Sequence, residues 1–171
     1  MLIGSSYVKH LQREIEKSGT TPNFPLPLRM IGVSGLLLSE LPGLLRKKLH
    51  PEGSGALIIQ VGGNDIGNVT EFRWQELLND VVSTCLNFPG YKIFWSDMMP
   101  RLTWRHCRDP QAGRMHKLRL QRRARALFHR RGGFVIKHPS ININMLLGDG
   151  VHLTPEGNAF FLASLEAALN A

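Results

Sequence analysis

An aspartate and a histidine three residues apart lie near the end of the sequence. Asp149 precedes His152 in a loop rich in glycine, and no other of the seven histidines has an aspartate three residues before it. At this spacing the carboxylate can accept a hydrogen bond from one ring nitrogen while the other nitrogen faces a serine hydroxyl. The pair predicts two members of a Ser-His-Asp triad; the alternative is a surface aspartate beside a structural histidine.

A serine near the start of the chain suits the third position of such a triad. Three apolar residues lead into Gly4-Ser5-Ser6, which is typical of a turn from a strand into a helix, where a glycine permits close approach of the backbone. The first N–H groups of a helix have no acceptor within it, so they can face a bound ligand. Ser6 is therefore the candidate nucleophile; the alternative is a helix cap.

Two further segments offer donors for a developing negative charge. Gly35 follows the second apolar run, and Asn64 follows the third in the segment Gly62-Gly63-Asn64-Asp65. A backbone N–H and a neutral side-chain amide are the usual donors of an oxyanion hole. We predict that the N–H groups of Ser6 and Gly35 and the amide of Asn64 form one, although each segment alone also fits an ordinary turn.

Two other groups of charged residues are candidates for binding. Asp97 follows the fourth apolar run and is a possible substrate contact. Arg122, Arg123 and Arg125 belong to the basic stretch 114–131, which has few aromatic residues. These arginines predict contact with nucleic acid or anionic lipid; the alternative is the solvated face of a helix whose apolar side packs on a sheet.

Short apolar runs alternate with helical patterns along the chain, which indicates parallel strands joined by crossover helices. A last helix should begin after Thr154, with the threonine as its cap and Pro155 as its first residue. This order predicts five β-α units. The predicted strands are 1–4, 28–33, 56–61, 91–96 and 134–137, and the predicted helices before the last are 8–17, 37–49, 74–86 and 111–131.

The composition limits the class of protein. With 171 residues, of which 43% are hydrophobic, we expect a single domain spanning 1–171, and because a strand begins at once we expect it to be cut from a longer protein. Two cysteines and no apolar run of about twenty residues favour an intracellular setting, cytoplasmic or nuclear, without a membrane span. A net charge of +8 favours phosphate backbones, anionic membranes or acidic substrates as partners.

The four segments that contain the candidate catalytic and oxyanion residues resemble, in this order, the signature blocks of the SGNH (GDSL-like) hydrolases. Gly4-Ser5-Ser6 resembles the Gly-Asp-Ser block, Gly35 the glycine of the second block, and Gly62–Asp65 the Gly-x-Asn-Asp block, while Asp149 to His152 match Asp-x-x-His. Two residues depart from the pattern, since Ser5 replaces the usual aspartate and Tyr7 the leucine. These departures put in doubt the hydrogen bonds that the family's aspartate makes.

The resemblance implies both a fold and an activity. The fold would be a three-layer α/β/α, flavodoxin-like sandwich around a central five-stranded parallel sheet. The activity would be that of a serine esterase acting on a small, short-acyl ester such as an acetyl ester, with no metal and no organic cofactor. Ser6 would attack the carbonyl, His152 would transfer the proton, and Asp149 would orient the imidazole.

A finer resemblance suggests a cellular context. Several short segments are similar to hydrolase domains of vertebrate retrotransposons, which would make the chain part of a mobile-element polyprotein. A second function therefore stays open: a catalytically weak SGNH-like domain that binds nucleic acid or anionic lipid. The segments are Met99-Pro100-Arg101, Trp104, Asp109-Pro110, Gly132-Gly133, His138-Pro139 and 149–152.

Overall fold

A five-stranded parallel sheet organises the computed structural model, which describes all 171 residues. The predicted β-α order is confirmed, and two short 3₁₀ turns, Leu38–Glu40 and Ile143–Met145, precede the second and fifth helices. The strands are β1 (Leu2–Gly4), β2 (Met30–Gly32), β3 (Gly55–Gln60), β4 (Tyr91–Ser96) and β5 (Phe134–Ile136). The helices are α1 (Ser6–Ser18), α2 (Leu41–Lys48), α3 (Glu71–Leu86), α4 (Pro110–Arg130) and α5 (Pro155–Leu169).

The strand order is β2-β1-β3-β4-β5, so the chain runs outward from β1 to β2 and then returns to the other side of β1. Gly4 at the end of β1 pairs in register with Gly32 of β2 and Gln60 of β3. The segments that follow these three strands therefore leave the sheet at one edge. In an open parallel sheet this reversal point is the usual ligand site.

Alternating residues of the strands pack into two separate cores. Leu57 and Ile59 of β3 face the core that contains α2, α3 and α4, while Ile58 between them faces the core that contains α1 and α5. This period of two is expected of a strand buried on both faces. The predicted three-layer α/β/α sandwich is confirmed, and the predicted apolar side of α4 lies in the first core, through Leu120, Ala124, Leu127 and Phe128.

The predicted helix boundaries differ from the observed ones by a few residues. The helix expected at 8–17 begins at Ser6, and the helix expected at 74–86 begins at Glu71, because the hydroxyl of Thr70 accepts the N–H of Arg73 at 3.1 Å. The segment 37–49 is a 3₁₀ turn followed by α2, whose first turn contains Pro42. Proline suits that position because it has no N–H to donate.

The predicted cap of the last helix is confirmed. Thr154 accepts the N–H of Gly157 at 3.1 Å, and Pro155 is the first residue of α5. No helix combines the length and the apolar character that crossing a membrane would require.

Candidate active site

Ser6 is held at the end of β1 by a tight backbone contact with β3. The N–H of Ser5 donates to the carbonyl of Gln60 at 3.0 Å. A side chain at Gly4 would lie 2.5 Å from that same carbonyl and 2.5 Å from a methyl group of Val8. Only glycine fits there, and the turn that it permits makes Ser6 the first residue of α1, where the helix leaves N–H groups without partners.

The loop before α5 holds Asp149 and His152 rigidly together. It is closed by a bridge between Leu146 and Leu153, and Gly150 turns it with a φ of 68°. One carboxylate oxygen of Asp149 accepts the N–H groups of Val151 at 2.8 Å and His152 at 2.9 Å. The other oxygen is left to accept from the imidazole.

His152 lies between the predicted serine and the predicted acid. Its Nδ1 is 2.6 Å from Oδ2 of Asp149, and its Nε2 is 3.0 Å from Oγ of Ser6. Since an ionised carboxylate can only accept, Nδ1 carries the proton and the lone pair of Nε2 faces the serine hydroxyl. Burial opposes ionisation of Asp149, but the hydrogen bonds from the His152 ring and from the two N–H groups outweigh it and lower its pKa to about 2.

A buried arginine orients Asn64. Arg101, 9% exposed, donates to Oδ1 of Asn64 at 3.3 Å and to the carbonyl of Gly63 at 3.1 Å. The Nδ2 of Asn64 donates to the carbonyl of Leu36 at 3.1 Å. These contacts assign the amide its orientation, and because an amide nitrogen has two hydrogens, one N–H of Asn64 is left for a ligand.

The same arginine connects Asn64 to the loop of His152 through Tyr7. Arg101 donates to the hydroxyl of Tyr7 at 3.1 Å, and that hydroxyl donates to the carbonyl of Val151 at 2.7 Å. Burial raises the pKa of Tyr7 despite the nearby Arg101. The sequence indicated Tyr7 only as a departure from the family motif and Arg101 only as part of a segment similar to retrotransposon hydrolase domains, because nothing in the sequence marks one of many arginines as buried.

Gly35 lies in the loop after β2, beside these residues. The N–H of Val33 donates to the carbonyl of Gly4 at 2.9 Å, which ties this loop to the end of β1. Gly35 has a φ of 76°, a conformation that favours glycine, and its N–H has no acceptor within the chain. The segments after β1, β2 and β3 thus lie at one edge of the sheet. There the N–H of Gly35 and one N–H of Asn64 have no acceptor within the chain.

Solved structures share this architecture over almost the whole chain. A GDSL-like lipase from Bacteroides thetaiotaomicron superimposes with a TM-score of 0.75 at 16% identity, over 99% of this chain and 86% of that one. An acetyl-xylooligosaccharide esterase from Geobacillus gives 0.71 at 13% identity, over 99% and 93%. A family 3 carbohydrate esterase from Talaromyces cellulolyticus gives 0.67 at 14% identity, over 99% and 95%.

The chain therefore shares the three-layer α/β/α fold of these solved lipases and esterases. No family model matches the sequence, and no curated protein is significantly similar to it. At such low identity the structural likeness concerns the fold alone, since one fold can host many functions.

Ser5, which stands at the aspartate position of the SGNH motif, has a neutral partner. Its hydroxyl donates to Oε1 of Gln60 at 3.1 Å, and both side chains are 2% exposed. The pair satisfies two buried polar groups without placing a charge beside Ser6. Gln60 is the last residue of β3 and had no signal in the sequence beyond its polar side chain in an apolar run.

A second histidine stacks on His152. The ring of His10, one turn along α1 from Ser6, lies parallel to the ring of His152, with centroids 4.2 Å apart and planes 3° apart. Burial and, next, the proximity of His152 lower the pKa of His10. The imidazole of His152 is therefore held by Asp149 at its edge and by a neutral ring on its face. The spacing of Ser6 and His10 at i and i+4 was the only available signal.

Asp97 lies at the predicted edge but does not contact Ser6, Asp149 or His152. It is 3% exposed, and both of its oxygens accept hydrogen bonds from the guanidinium of Arg125, one of them at 2.9 Å from Nε. The ion pair joins the end of β4 to α4. The predicted substrate contact of Asp97 is untested, and the residue is already occupied by Arg125.

The three candidate arginines of α4 differ in their surroundings. Arg125 pairs with Asp97, and Arg123 pairs with Glu71 at 2.6 Å. Arg122 is exposed and forms no ion pair. Of the three, only Arg122 can bind an anionic partner without first breaking an ion pair within the chain.

A second serine-histidine contact lies at the ends of β4 and β5. The hydroxyl of Ser164 donates to the carbonyl of Phe161 at 2.8 Å, so it accepts from Nδ1 of His138 at 2.6 Å, and Nε2 accepts from Ser96 at 2.8 Å. Burial, and in second place Lys117, lower the pKa of His138 to about 4. Ser96 is fully buried and the cluster contains no acid, so it joins β4 to α5 rather than forming a nucleophile.

Asp65, next to Asn64, ties the loop of Asn64 to the segment that follows Gly35. It is 1% exposed, and both of its oxygens lie 3.2 Å from the N–H of Leu38, at the start of a 3₁₀ turn. Burial raises the pKa of Asp65 to about 6, although the Leu38 N–H opposes this. The carboxylate therefore anchors the loop after Gly35 to the loop that contains Asn64.

Proposed function

We propose that this chain is a serine esterase that hydrolyses carboxylic esters. The observation that carries the proposal is the pair of contacts made by His152: its Nε2 lies 3.0 Å from Oγ of Ser6, and its Nδ1 lies 2.6 Å from Oδ2 of Asp149. Nucleophile, base and orienting acid within hydrogen-bond reach are what acyl transfer to a serine requires.

The reaction follows the standard two-step scheme. Ser6 attacks the ester carbonyl while His152 takes the hydroxyl proton, and the imidazolium then donates that proton to the leaving alcohol. Water, activated by the same imidazole, releases the acid from the acyl-serine and restores the hydroxyl. Asp149 remains ionised throughout and stabilises the imidazolium, in keeping with its pKa of about 2.

The oxyanion of each tetrahedral intermediate would be held by three donors: the N–H groups of Ser6 and Gly35 and the remaining N–H of Asn64. The support is that Gly35 has no acceptor within the chain and that Asn64 has its carbonyl oxygen already bound by Arg101. Loss of one such donor costs about a hundredfold to a thousandfold in rate in a well-studied hydrolase.

A short acyl group, of the acetyl type, is the proposed substrate feature. An acetyl-xylooligosaccharide esterase is among the proteins with this fold, and the ring of His10 stacks on His152, which contacts the serine. The place of the chain in a mobile-element polyprotein stays a prediction from the sequence.

Replacement of the nucleophile tests the esterase. We expect purified protein to hydrolyse 4-nitrophenyl acetate and Ser6→Ala to lose at least about a thousandfold in kcat, since the triad acts as a unit. Ser34→Ala, an exposed serine at the same edge of the sheet, is the matched control and should keep the wild-type rate. A fluorophosphonate probe should label wild type and Ser34→Ala only. Equal rates for Ser6→Ala and wild type would refute the assignment.

A second function of another class is a binding module for nucleic acid or anionic lipid. The observation that favours it is the exposed, unpaired Arg122 on α4, together with a net charge of +8. Such binding would be indifferent to Ser6→Ala and strongly dependent on salt.

A further inference from the structure

A cavity of about 680 Å³ lies next to the proposed active site, between the segment after β4, the first half of α4 and residues 141–143. This volume falls within the range of small-molecule sites. Arg101, whose guanidinium binds Asn64 on one side, also lines the cavity on the other. The side chain of Arg101 therefore connects the cavity to Asn64, a residue of the proposed oxyanion hole.

Three cations line this cavity without an acid. They are Arg101, Arg114 and Lys117, and no aspartate or glutamate is among the lining residues. None of the three forms an ion pair. By contrast, three other arginines of α4 do have acid partners: Arg119 and Arg123 pair with Glu71, and Arg125 pairs with Asp97.

Lys117 shows the electrostatic cost of this arrangement. Its ammonium makes no hydrogen bond within the chain, although the side chain is half-buried. Burial, together with the positive charges of Arg101, Arg125 and Arg114, lowers the pKa of Lys117 to about 8, and Asp97 offsets this only in part. An anion in the cavity would relieve the repulsion and supply the missing acceptor.

Part of the remaining wall is apolar, although Gln111 and Asn142 also line it. Trp104, Leu118 and Ile141 line the same cavity, and the guanidinium of Arg101 lies 5.8 Å from the centre of the Trp104 ring. A small inorganic ion would leave these surfaces wet, whereas an anion with a short hydrocarbon body would cover them.

We propose that this cavity binds an organic anion, whose carboxylate or phosphate group contacts Arg114, Lys117 and Arg101 and whose apolar body packs against Trp104, Leu118 and Ile141. The inference goes beyond the proposed esterase, because it requires no turnover. It also predicts a ligand with one charged end and one apolar end.

Binding of hexyl phosphate, hexanoate and hexanol to the Ser6→Ala protein, measured by calorimetry, tests the site. We expect the two anions to bind and hexanol not to bind. Lys117→Gln and Arg114→Gln should each weaken hexyl phosphate by about tenfold, as expected for loss of one charge-assisted hydrogen bond. Because Arg114 is exposed, its replacement leaves the fold intact.

Arg119→Gln is the matched control, because it removes one charge from the same helix at a position that pairs with Glu71 outside the cavity. It should bind hexyl phosphate like the parent protein. Equal weakening in all three variants, or no binding of either anion, would overturn the proposal. Ester hydrolysis by the wild type without anion binding would support the esterase and refute the anion site. Anion binding without ester hydrolysis would do the reverse, so the two proposals are tested independently.

Discussion

His152 receives its orientation from residues at both ends of the chain. Asp149 binds the edge of the ring, Ser6 faces its other nitrogen, and His10 of α1 covers its face. The first two contacts are those that the proposed acyl transfer requires. The stacking of His10 is a further restraint, which a lone loop histidine would lack.

The stack predicts a measurable effect on turnover. An aromatic pair contributes about 0.5–1.5 kcal/mol beyond its buried area, which corresponds to roughly twofold to tenfold in rate if it is lost in the transition state. We expect His10→Ala to lower kcat for 4-nitrophenyl acetate by this factor.

His10→Phe keeps a flat ring at the position and serves as the control. It should restore most of the rate, which separates stacking from any proton transfer by His10. A His10→Ala protein with the full wild-type kcat would show that the stack has no role in positioning His152.

At the scale of elements, loops and helix ends hold the site together by contacts between distant segments. Asp65 anchors the loop after β2, Arg101 joins the loop after β3 to the loop before α5, and Asp97 binds α4. His138, which follows β5, joins Ser96 at the end of β4 to Ser164 of α5.

The His138 contact predicts a pH dependence of stability. The pKa of His138 is about 4 in the folded chain, against about 6.5 for an unfolded histidine, so between these values only the unfolded chain binds the proton. The stability that the neutral His138 contributes to the folded chain is fully present above pH 6.5 and is lost as the pH falls towards 4. The loss is on the order of 2–3 kcal/mol.

Urea denaturation of wild type and His138→Gln at pH 7.5 and pH 4.5 measures this contribution. The difference in free energy of unfolding between the two proteins should shrink at pH 4.5. Asp65, whose raised pKa acts in the opposite direction, is present in both proteins and cancels. A difference that does not change with pH would contradict the assignment of His138 as a buried neutral ring.

At the scale of the molecule, the excess positive charge is distributed unevenly. On α4, Arg119, Arg123 and Arg125 are engaged by acids, whereas Arg122 and Arg130 are exposed without an ion pair. A long-range field of this sign attracts polyanions, and its effect is screened within about 10 Å at 0.1 M salt.

This distribution predicts which charges matter for nucleic acid. If the chain binds single-stranded RNA, log Kd should change with log salt concentration by about 0.7 for each phosphate neutralised. Charge reversal of Arg122 and Arg130 together should weaken binding and reduce that slope. Ser6→Ala should have no effect on binding. Fluorescence anisotropy with a labelled oligonucleotide measures the affinity of the wild type, the Arg122 and Arg130 variant and Ser6→Ala.

Reversal of Lys47 and Lys48, two exposed residues of α2, is the matched control because it changes the net charge by the same amount. It should weaken binding less than the α4 variant. Equal weakening by both variants would mean that the net charge, rather than a surface on α4, attracts the nucleic acid.

The amino-acid sequence by itself determined the order of strands and helices and the edge at which Ser6, Gly35 and Asn64 meet. These follow from local rules, because apolar runs, turn glycines and helix caps act on near neighbours, and parallel strands joined by helices bring their carboxyl ends together. The pair of Asp149 and His152 could also be predicted, because the two residues are only three positions apart in one loop.

Only the tertiary structure decided which polar groups support those residues. Arg101, Gln60 and His10 are far in sequence from most of what they bind, and neither Arg101 nor Gln60 differs in type from residues that are exposed elsewhere. The same holds for Asp97, predicted as a possible substrate contact, whose partner Arg125 lies 28 positions away. Burial and long-range pairing depend on how layers pack, and that information is absent from local spacing.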